Sequence, residues 1–198
     1  MASKVDIWNT ALSHIGSKTQ ITDPDERSVE ANHCRRFYPL ALTVALERYG
    51  WSFATRRIAL SEVDNPVDHW AFAYGRPNKC VRERAVLLPE STDDTKEQPY
   101  AVESNAAGDI IILTNVEDAV LKYTTLVEDT TKFSPFFVLA LSYDLASLLV
   151  GPIPKDPKFK QAMSNAAAQA VALAEAADAN ASNNSGYDTF TPSHLAAR

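Results

Sequence analysis

Apolar residues recur with helical spacing in four segments of the chain, two near each end. The first follows Ser3 and stops at Gly16, the second runs from Ser28 to about Tyr49, the third follows Ser134, and the fourth follows Asp156. Serine and aspartate side chains accept hydrogen bonds from the free amides at a helix start, and glycine suits the turn after a helix end. The pattern therefore predicts four helices.

The third predicted helix, FFVLALSYDLASLLV over residues 136–150, is apolar on nearly every side. A helix of that composition is typical of the interior of a protein. We expect it to be the central helix, with Leu145 and Leu148 fully buried.

The second predicted helix contains Pro39 and ends close to three aromatic rings, Tyr49, Trp51 and Phe53. An internal proline removes one backbone hydrogen bond and clashes with the preceding turn, which predicts a kink. The rings are expected to anchor the departing chain on the helices.

From Ile58 the period changes to short, alternating or β-branched segments bounded by Pro, Asn, Asp and Gly. These segments are RIALSEV, NKCVRERAVLLP, PYAVESN, DIIILTN and AVLKYTTLVED. They predict a small antiparallel sheet between the helices. Strict alternation in CVRERAV would place Cys80, Arg82 and Arg84 on one face and Val81, Glu83 and Ala85 on the other.

Together the patterns predict an α+β fold: an antiparallel-type helical bundle core with a small inserted antiparallel β-sheet and an extended C-terminal tail. The helical core is expected over residues 1–57 and 132–178, the inserted β-rich region over 58–131, and a flexible tail over 179–198. The tail is rich in serine and asparagine and has too few apolar residues to fold alone.

Composition narrows the class of protein. The chain has 198 residues, 45% of them hydrophobic, which is enough for a core. Its two cysteines do not make a disulfide framework. No secretory signal is visible, and the longest apolar stretch is too short to span a bilayer, so we expect a soluble, intracellularly made protein with no membrane partner.

Charge is unevenly distributed along the chain. Residues 35–84 carry 9 basic and 5 acidic side chains, a net charge of +4, whereas the whole chain carries −6. The overall sign argues against a nucleic-acid coat. The basic middle is either a solvated face or a surface that meets acidic groups on a partner or a neighbouring copy.

The chain has no phosphate-binding loop, GxGxxG, HExxH, CxxC or GxSxG motif. Glu30, His33 and Cys34 share a helix, but a single ExxH pair falls short of the set a di-iron bundle needs, so a structural role is favoured. We therefore predict no cofactor, no metal and no catalytic residue.

Two weaker chemical interpretations stay open. Glu62, Asp64 and Asp68 are the best available carboxylates for a glycosidase, because that chemistry needs only two placed acids. They also suit a hydrated acidic loop. The stretch WAFAYGRPNKCVR interleaves aromatic and basic residues, a combination that can stack on nucleic acid.

The order of the segments resembles the tail tubular protein A family, the head-to-tail adaptors of short-tailed bacteriophages. The matching stretches begin with DIWNTALSHIG, ANHCRRFYPLALTVALERYGWSFATRRIAL and WAFAYGRPNKCVR. DIIILTN, VLKYTT and SPFFVLALSYDLASLLVGPI follow, and the resemblance covers about residues 5–178. The family's usual Tyr-Pro pair is spread here to Tyr74-Gly75-Arg76-Pro77.

This resemblance implies a structural virion protein, made in the host cytoplasm, that forms a ring of usually twelve copies. Its partners would be itself, the portal protein and a tail nozzle protein similar to tail tubular protein B. DNA would pass through the ring without sequence-specific binding. Some family members have been credited with cell-wall-degrading activity, so a peptidoglycan hydrolase acting at host entry is the alternative.

Two sets of contact residues follow from this interpretation. Arg56, Arg57, Arg82 and Arg84 are expected to meet acidic surface on a neighbouring copy or a partner. Tyr187, Phe190 and Leu195 are expected to dock the tail into a groove of the portal ring.

Overall fold

The computed structural model describes residues 2–91, 96–153 and 157–182 of the chain. Four α-helices occur in this part: α1 Lys4–His14, α2 Val29–Arg48, α3 Pro135–Leu149 and α4 Pro157–Ser182. Seven strands lie between α2 and α3: β1 Thr55–Ala59, β2 Glu62–Val63, β3 Phe72–Gly75, β4 Cys80–Leu87, β5 Tyr100–Ser104, β6 Ile110–Thr114 and β7 Val120–Thr125. A short 3₁₀ helix, Thr130–Lys132, precedes α3.

The chain divides into two compact units. The first comprises the described residues of Met1–Tyr38 and Phe133–Arg198, and the second comprises Pro39–Lys132. The border in the helical N-terminal region thus falls at Pro39 inside α2, whereas the sequence placed it at residue 57. Residues on both sides of Pro39 belong to the same helix, so the amino-acid composition does not mark this border.

In the first unit, α3 packs against both α1 and α4. The helix begins at Ser134, whose side chain accepts a hydrogen bond from the Phe137 amide, and Pro135 stands in its first turn. Phe137, Leu141, Leu145 and Leu149 are fully buried. The prediction for Leu145 is therefore confirmed. Leu148 is only partly buried, so the prediction of full burial is wrong for that residue.

The opening helix α1 is fixed at its start by a capping box. The Ser3 side chain accepts from the Asp6 amide while the Asp6 carboxylate accepts from the Ser3 amide. Ile7, Trp8, Ala11 and Leu12 form its buried face. Trp8 meets Tyr38 of α2 edge-on, with ring centroids 6.1 Å apart.

The second unit contains two antiparallel sheets. One has three strands in the order β1-β7-β4, and the other has four in the order β2-β3-β6-β5. A buried cluster takes residues from both sheets, among them Tyr74 and Ile112 from one and Val86 and Leu121 from the other. The sheets therefore face each other across a shared core.

The four-stranded sheet also buries its other face. Ala73, Ile111 and Leu113 are almost inaccessible there, and Val67, Trp70 and Ala101 pack over them. Near-continuous apolar runs such as IIILT in β6 are the expected result for a strand with both faces covered.

The predicted fold class is wrong in its main feature. The structure is α+β with four helices and two antiparallel sheets, and it does not show a helical bundle as the core. The physical reason is that the strands bury enough apolar surface to form cores of their own. The C-terminal part of α2 also belongs to the strand unit, where Trp51 Nε1 donates to the Ala45 carbonyl at 2.8 Å.

Candidate functional site

The three-stranded sheet brings the four predicted arginines together. Arg56 and Arg57 lie on β1, Arg82 and Arg84 lie on β4, and both strands pair with β7 between them. Arg57 is opposite Lys122, and Arg82 is opposite Thr124. Directly opposed residues share a face, and Thr124 is two residues from Lys122, so Arg57, Lys122 and Arg82 lie on the same face of this sheet. Thr124 and Ala85 of that face are buried.

Arg84 is bonded within the unit. Its guanidinium donates to the carbonyl oxygens of Leu46, Glu47 and Tyr49, at 3.2, 2.8 and 2.6 Å, and to Thr124 Oγ1 at 2.8 Å. Burial, reinforced by the nearby Arg82 charge, lowers the pKa of Arg84. The residue caps the C-terminal end of α2, where unpaired carbonyls and the helix dipole favour a cation.

The other three arginines are exposed. Arg82 Nη1 lies 3.8 Å from Glu47 Oε1 in an exposed ion pair. Arg56 folds back, so that its Nη1 donates to the Thr55 carbonyl at 2.9 Å. An interface role for the four arginines stays a prediction, and Arg84 has in addition an internal structural role.

Two bulges in β4 break the strict alternation expected for CVRERAV. The register shifts between Cys80 and Arg82 and again between Glu83 and Ala85. As a result Cys80 Sγ approaches Glu83 Oε1 to 3.7 Å, although alternation would place the two on opposite faces.

A small charged cluster, unsuspected from the sequence, results from these bulges. Arg76 Nε donates to the Glu83 carboxylate, and Arg76 Nη2 donates to the Val81 carbonyl at 3.2 Å. Burial, together with the Glu83 charge, raises the pKa of the Cys80 thiol to about 11. The thiol is consequently protonated and unreactive at neutral pH.

The metal candidates do not converge. Glu30 Oε1 accepts from Thr19 Oγ1 at 3.0 Å, and the His33 ring stacks on Phe37. Burial, with the Glu30 charge, raises the pKa of Cys34 to about 12. Across residues 2–91, 96–153 and 157–182, no group of three or more His, Cys, Asp or Glu side chains is placed to hold a metal ion.

The candidate carboxylates Glu62, Asp64 and Asp68 are all exposed, on β2 and the loop that follows it. None of the three lines either of two grooves in the second unit, which have volumes of about 570 and 250 Å³. Their surroundings are those of a hydrated acidic loop.

The aromatic residues of WAFAYGRPNKCVR belong to the core. Tyr74 is buried, and its hydroxyl donates to the Val116 carbonyl at 2.8 Å. Phe72 packs on the same cluster, and Trp70 packs on the opposite face of the sheet. These rings stabilise the sheets and do not form an exposed platform on which bases stack.

Several large apolar side chains lie exposed on helix surfaces. On α2, Leu40 and Val44 are 53% and 41% exposed, and on α3, Phe136 and Leu139 are 48% and 36% exposed. The members of each pair are one turn apart, so each pair forms a small apolar patch. The apolar sequence of α3 predicts burial on nearly every side, and the structure instead leaves Phe136 and Leu139 exposed.

The tail residues Tyr187, Phe190 and Leu195 lie outside the described part of the chain. Their docking role therefore stays a prediction.

The chain matches no protein-family model and no curated protein. No described helix is long and apolar enough to cross a membrane.

Proposed function

We propose that the chain is a structural subunit of a head-to-tail connector ring in a short-tailed phage virion, fitted between the portal and the tail nozzle. The observation that carries the proposal is the set of exposed apolar patches on the helices: Leu40 with Val44 on α2, and Phe136 with Leu139 on α3. Contiguous exposed apolar surface is typical of sites that other protein chains cover.

A ring subunit needs two different contact surfaces, because a head-to-tail contact joins unlike faces of neighbouring copies. The chain offers more than one: the helix patches, and the exposed Arg57 and Arg82 of the three-stranded sheet. The net charge of −6 supplies acidic surface elsewhere on each copy. Charge complementarity of this kind sets orientation and register between subunits.

The order of sequence segments supports the same assignment through its resemblance to the tail tubular protein A family. The resemblance implies about twelve copies, with the portal and a nozzle protein as partners.

The experiment measures assembly and lysis on the same preparation. We expect the purified protein, mixed with the portal protein of the same virus, to enter a ring-sized particle in sedimentation and electron microscopy. It should leave no clearing on a peptidoglycan zymogram. Lysis by the monomer, with no ring formed, would overturn the proposal in favour of a peptidoglycan hydrolase.

Surface variants connect the outcome to the patches. Leu40→Ser and Phe136→Ser should weaken assembly, while Thr43→Ser, a polar change at an exposed position on α2, should leave it intact. Raising the salt concentration should also weaken assembly if exposed arginines take part, because exposed ion pairs are screened. Assembly indifferent to both apolar variants would show that the patches are not the contact surface.

A further inference from the structure

Both sheets of the second unit have an outer strand with exposed residues. β1 is one of the two outer strands of the three-stranded sheet, and β5 is one of the two outer strands of the four-stranded sheet. In β1, Arg56 to Ala59 are exposed, and in β5, Val102 to Ser104 are exposed. Outer strands present backbone donors and acceptors that can pair with another chain.

The surroundings of the two strands differ. Next to β1 lies a groove of about 250 Å³, lined by the end of the strand and by Gly75 to Asn78. Beside β5, the chain meets β4 at a bridge between Val86 and Gln98, just before β5 begins. Among the described residues, β5 itself has one strand partner, β6.

The two strands have complementary sequences when aligned antiparallel. With Ile58 opposite Val102, Arg57 falls opposite Glu103, and Leu60 falls opposite Tyr100. This single register joins two apolar pairs and one pair of opposite charges. Shifting it by one residue would put Arg56 opposite Glu103, but it would also put Ile58, on the side of the buried cluster between the sheets, opposite Ala101, which packs on the other face of its sheet.

The faces of the strands agree with this register. Ile58 is opposite Leu121, and Val102 is opposite Ile112, and both of these partners belong to the buried cluster between the sheets. Leu60 and Tyr100 pack against the same cluster. Ile58 and Val102 therefore lie at the edge of the same buried cluster, where they are 43% and 42% exposed.

We propose that β1 of one copy pairs antiparallel with β5 of the next copy, with Ile58 opposite Val102 and Arg57 opposite Glu103, so that neighbouring subunits share a continuous sheet. The inference rests on the proposed function, since it names the contact by which copies associate. Because β1 and β5 are different surfaces of each copy, the contact is head-to-tail and repeats from one copy to the next.

A disulfide test follows from the register. Opposed residues on antiparallel strands have Cα atoms about 4.5–5.5 Å apart, within the range that a disulfide spans. Arg57→Cys mixed with Glu103→Cys should form a covalent dimer on oxidation, while each variant alone should stay uncrosslinked. Cys34 and Cys80 are both buried, which keeps the native thiols out of the reaction.

The matched control moves one cysteine by one residue. Ser104→Cys mixed with Arg57→Cys should not crosslink, because adjacent residues on a strand point to opposite faces. A chain that carries both Arg57→Cys and Glu103→Cys should give a ladder of covalent multimers. Equal crosslinking at positions 103 and 104 would overturn the register.

Charge reversal provides an independent measurement. Arg57→Glu and Glu103→Arg should each weaken assembly severalfold, and the double variant should recover it, because the pair is restored with its signs exchanged. Recovery requires that both variants fold, so it also controls for misfolding. A double variant as impaired as the single variants would overturn the pairing.

The outcomes separate this inference from the proposed function. Ring assembly without the crosslink would overturn the strand pairing and leave the connector standing. The crosslink in a protein that forms only open chains would support the pairing and overturn the closed ring. A protein that never assembles, alone or with portal, would overturn both.

Discussion

Arg84 holds the end of α2 against the three-stranded sheet through four hydrogen bonds. Three of its acceptors are carbonyl oxygens of the last helical turn and the residue beyond it. A charged donor satisfies such groups more strongly than a neutral one. Removing the guanidinium would leave these carbonyls partly buried without a hydrogen bond. An unsatisfied buried acceptor costs more free energy than a typical hydrogen bond contributes.

We therefore expect Arg84→Met to lower the free energy of unfolding by about 2–3 kcal/mol, measured by chemical denaturation. Arg82→Met is the matched control, since Arg82 stands on the same strand with an exposed ion pair to Glu47. Exposed pairs contribute about 0–1 kcal/mol, so this variant should be nearly neutral. Similar losses in both variants would mean that the cap contributes little.

His14 lies in the first unit, stacked on Tyr143 with ring centroids 3.8 Å apart. Its Nε2 is 3.1 Å from Ser142 Oγ, and the Ser142 hydroxyl donates to the Leu139 carbonyl at 2.7 Å. The serine oxygen must then accept, which makes Nε2 the protonated nitrogen of the neutral ring. Burial lowers the pKa of His14 below its ordinary value of 6.5.

This environment predicts a pH dependence of stability. The folded protein binds the His14 proton more weakly than the unfolded chain, so the stabilisation is full above pH 6.5 and is lost as the pH falls below it. His14→Phe keeps a ring for stacking but cannot titrate. The variant should lose less stability than the native protein between pH 7.5 and 5.5. Parallel pH profiles for the two proteins would contradict the assignment.

At the scale of elements, local signals located the helices well. The sequence predicts helix starts at Ser3, Ser28 and Ser134, and their side chains accept hydrogen bonds from the Asp6, Ala31 and Phe137 amides. An N-cap side chain bonds to an amide two or three residues later, so a helix start can be predicted from neighbouring residues in the sequence.

The sheets were harder to predict than the helices, because strand pairing joins distant parts of the chain. Thr55 of β1 pairs with Thr124 of β7, and nothing near either residue identifies its partner. The sequence thus indicated strands but not that they form two sheets. The structural role of Arg84 could not be predicted for a similar reason. Its acceptors are backbone carbonyls, and because every residue has one, the sequence does not identify which of them Arg84 contacts.

Helix α3 allows the burial pattern to be tested on one element. Leu145→Ala should cost about 2–5 kcal/mol, because a fully buried leucine loses its contacts and leaves a cavity. Leu148→Ala should cost less, since that side chain is only partly buried. Denaturant midpoints of the two variants measure the difference. Equal losses would mean that Leu148 is as enclosed as Leu145.

At the scale of the whole molecule, we expect the stability of the folded chain and the proposed contact with a portal to be separable. The buried clusters described above lie in α1–α4 and the two sheets. The last helix ends at Ser182, and the predicted docking residues follow it in sequence. Serine- and asparagine-rich segments with few apolar residues are typical of chains that order only on binding.

Removing residues 183–198 tests this separation, because it leaves α4 complete. The free energy of unfolding should change by no more than about 0.5 kcal/mol, as for surface changes outside the core. Co-sedimentation with portal should be strongly weakened, since many copies around one ring multiply the effect of each lost contact. The full-length chain carrying Tyr187→Ala, Phe190→Ala and Leu195→Ala is the matched control for chain length, and it should fail to the same degree. If the triple variant joins portal normally while the truncated chain does not, the three side chains are not the anchors. If both join normally, the tail has no docking role, and the portal contact must lie on the folded units.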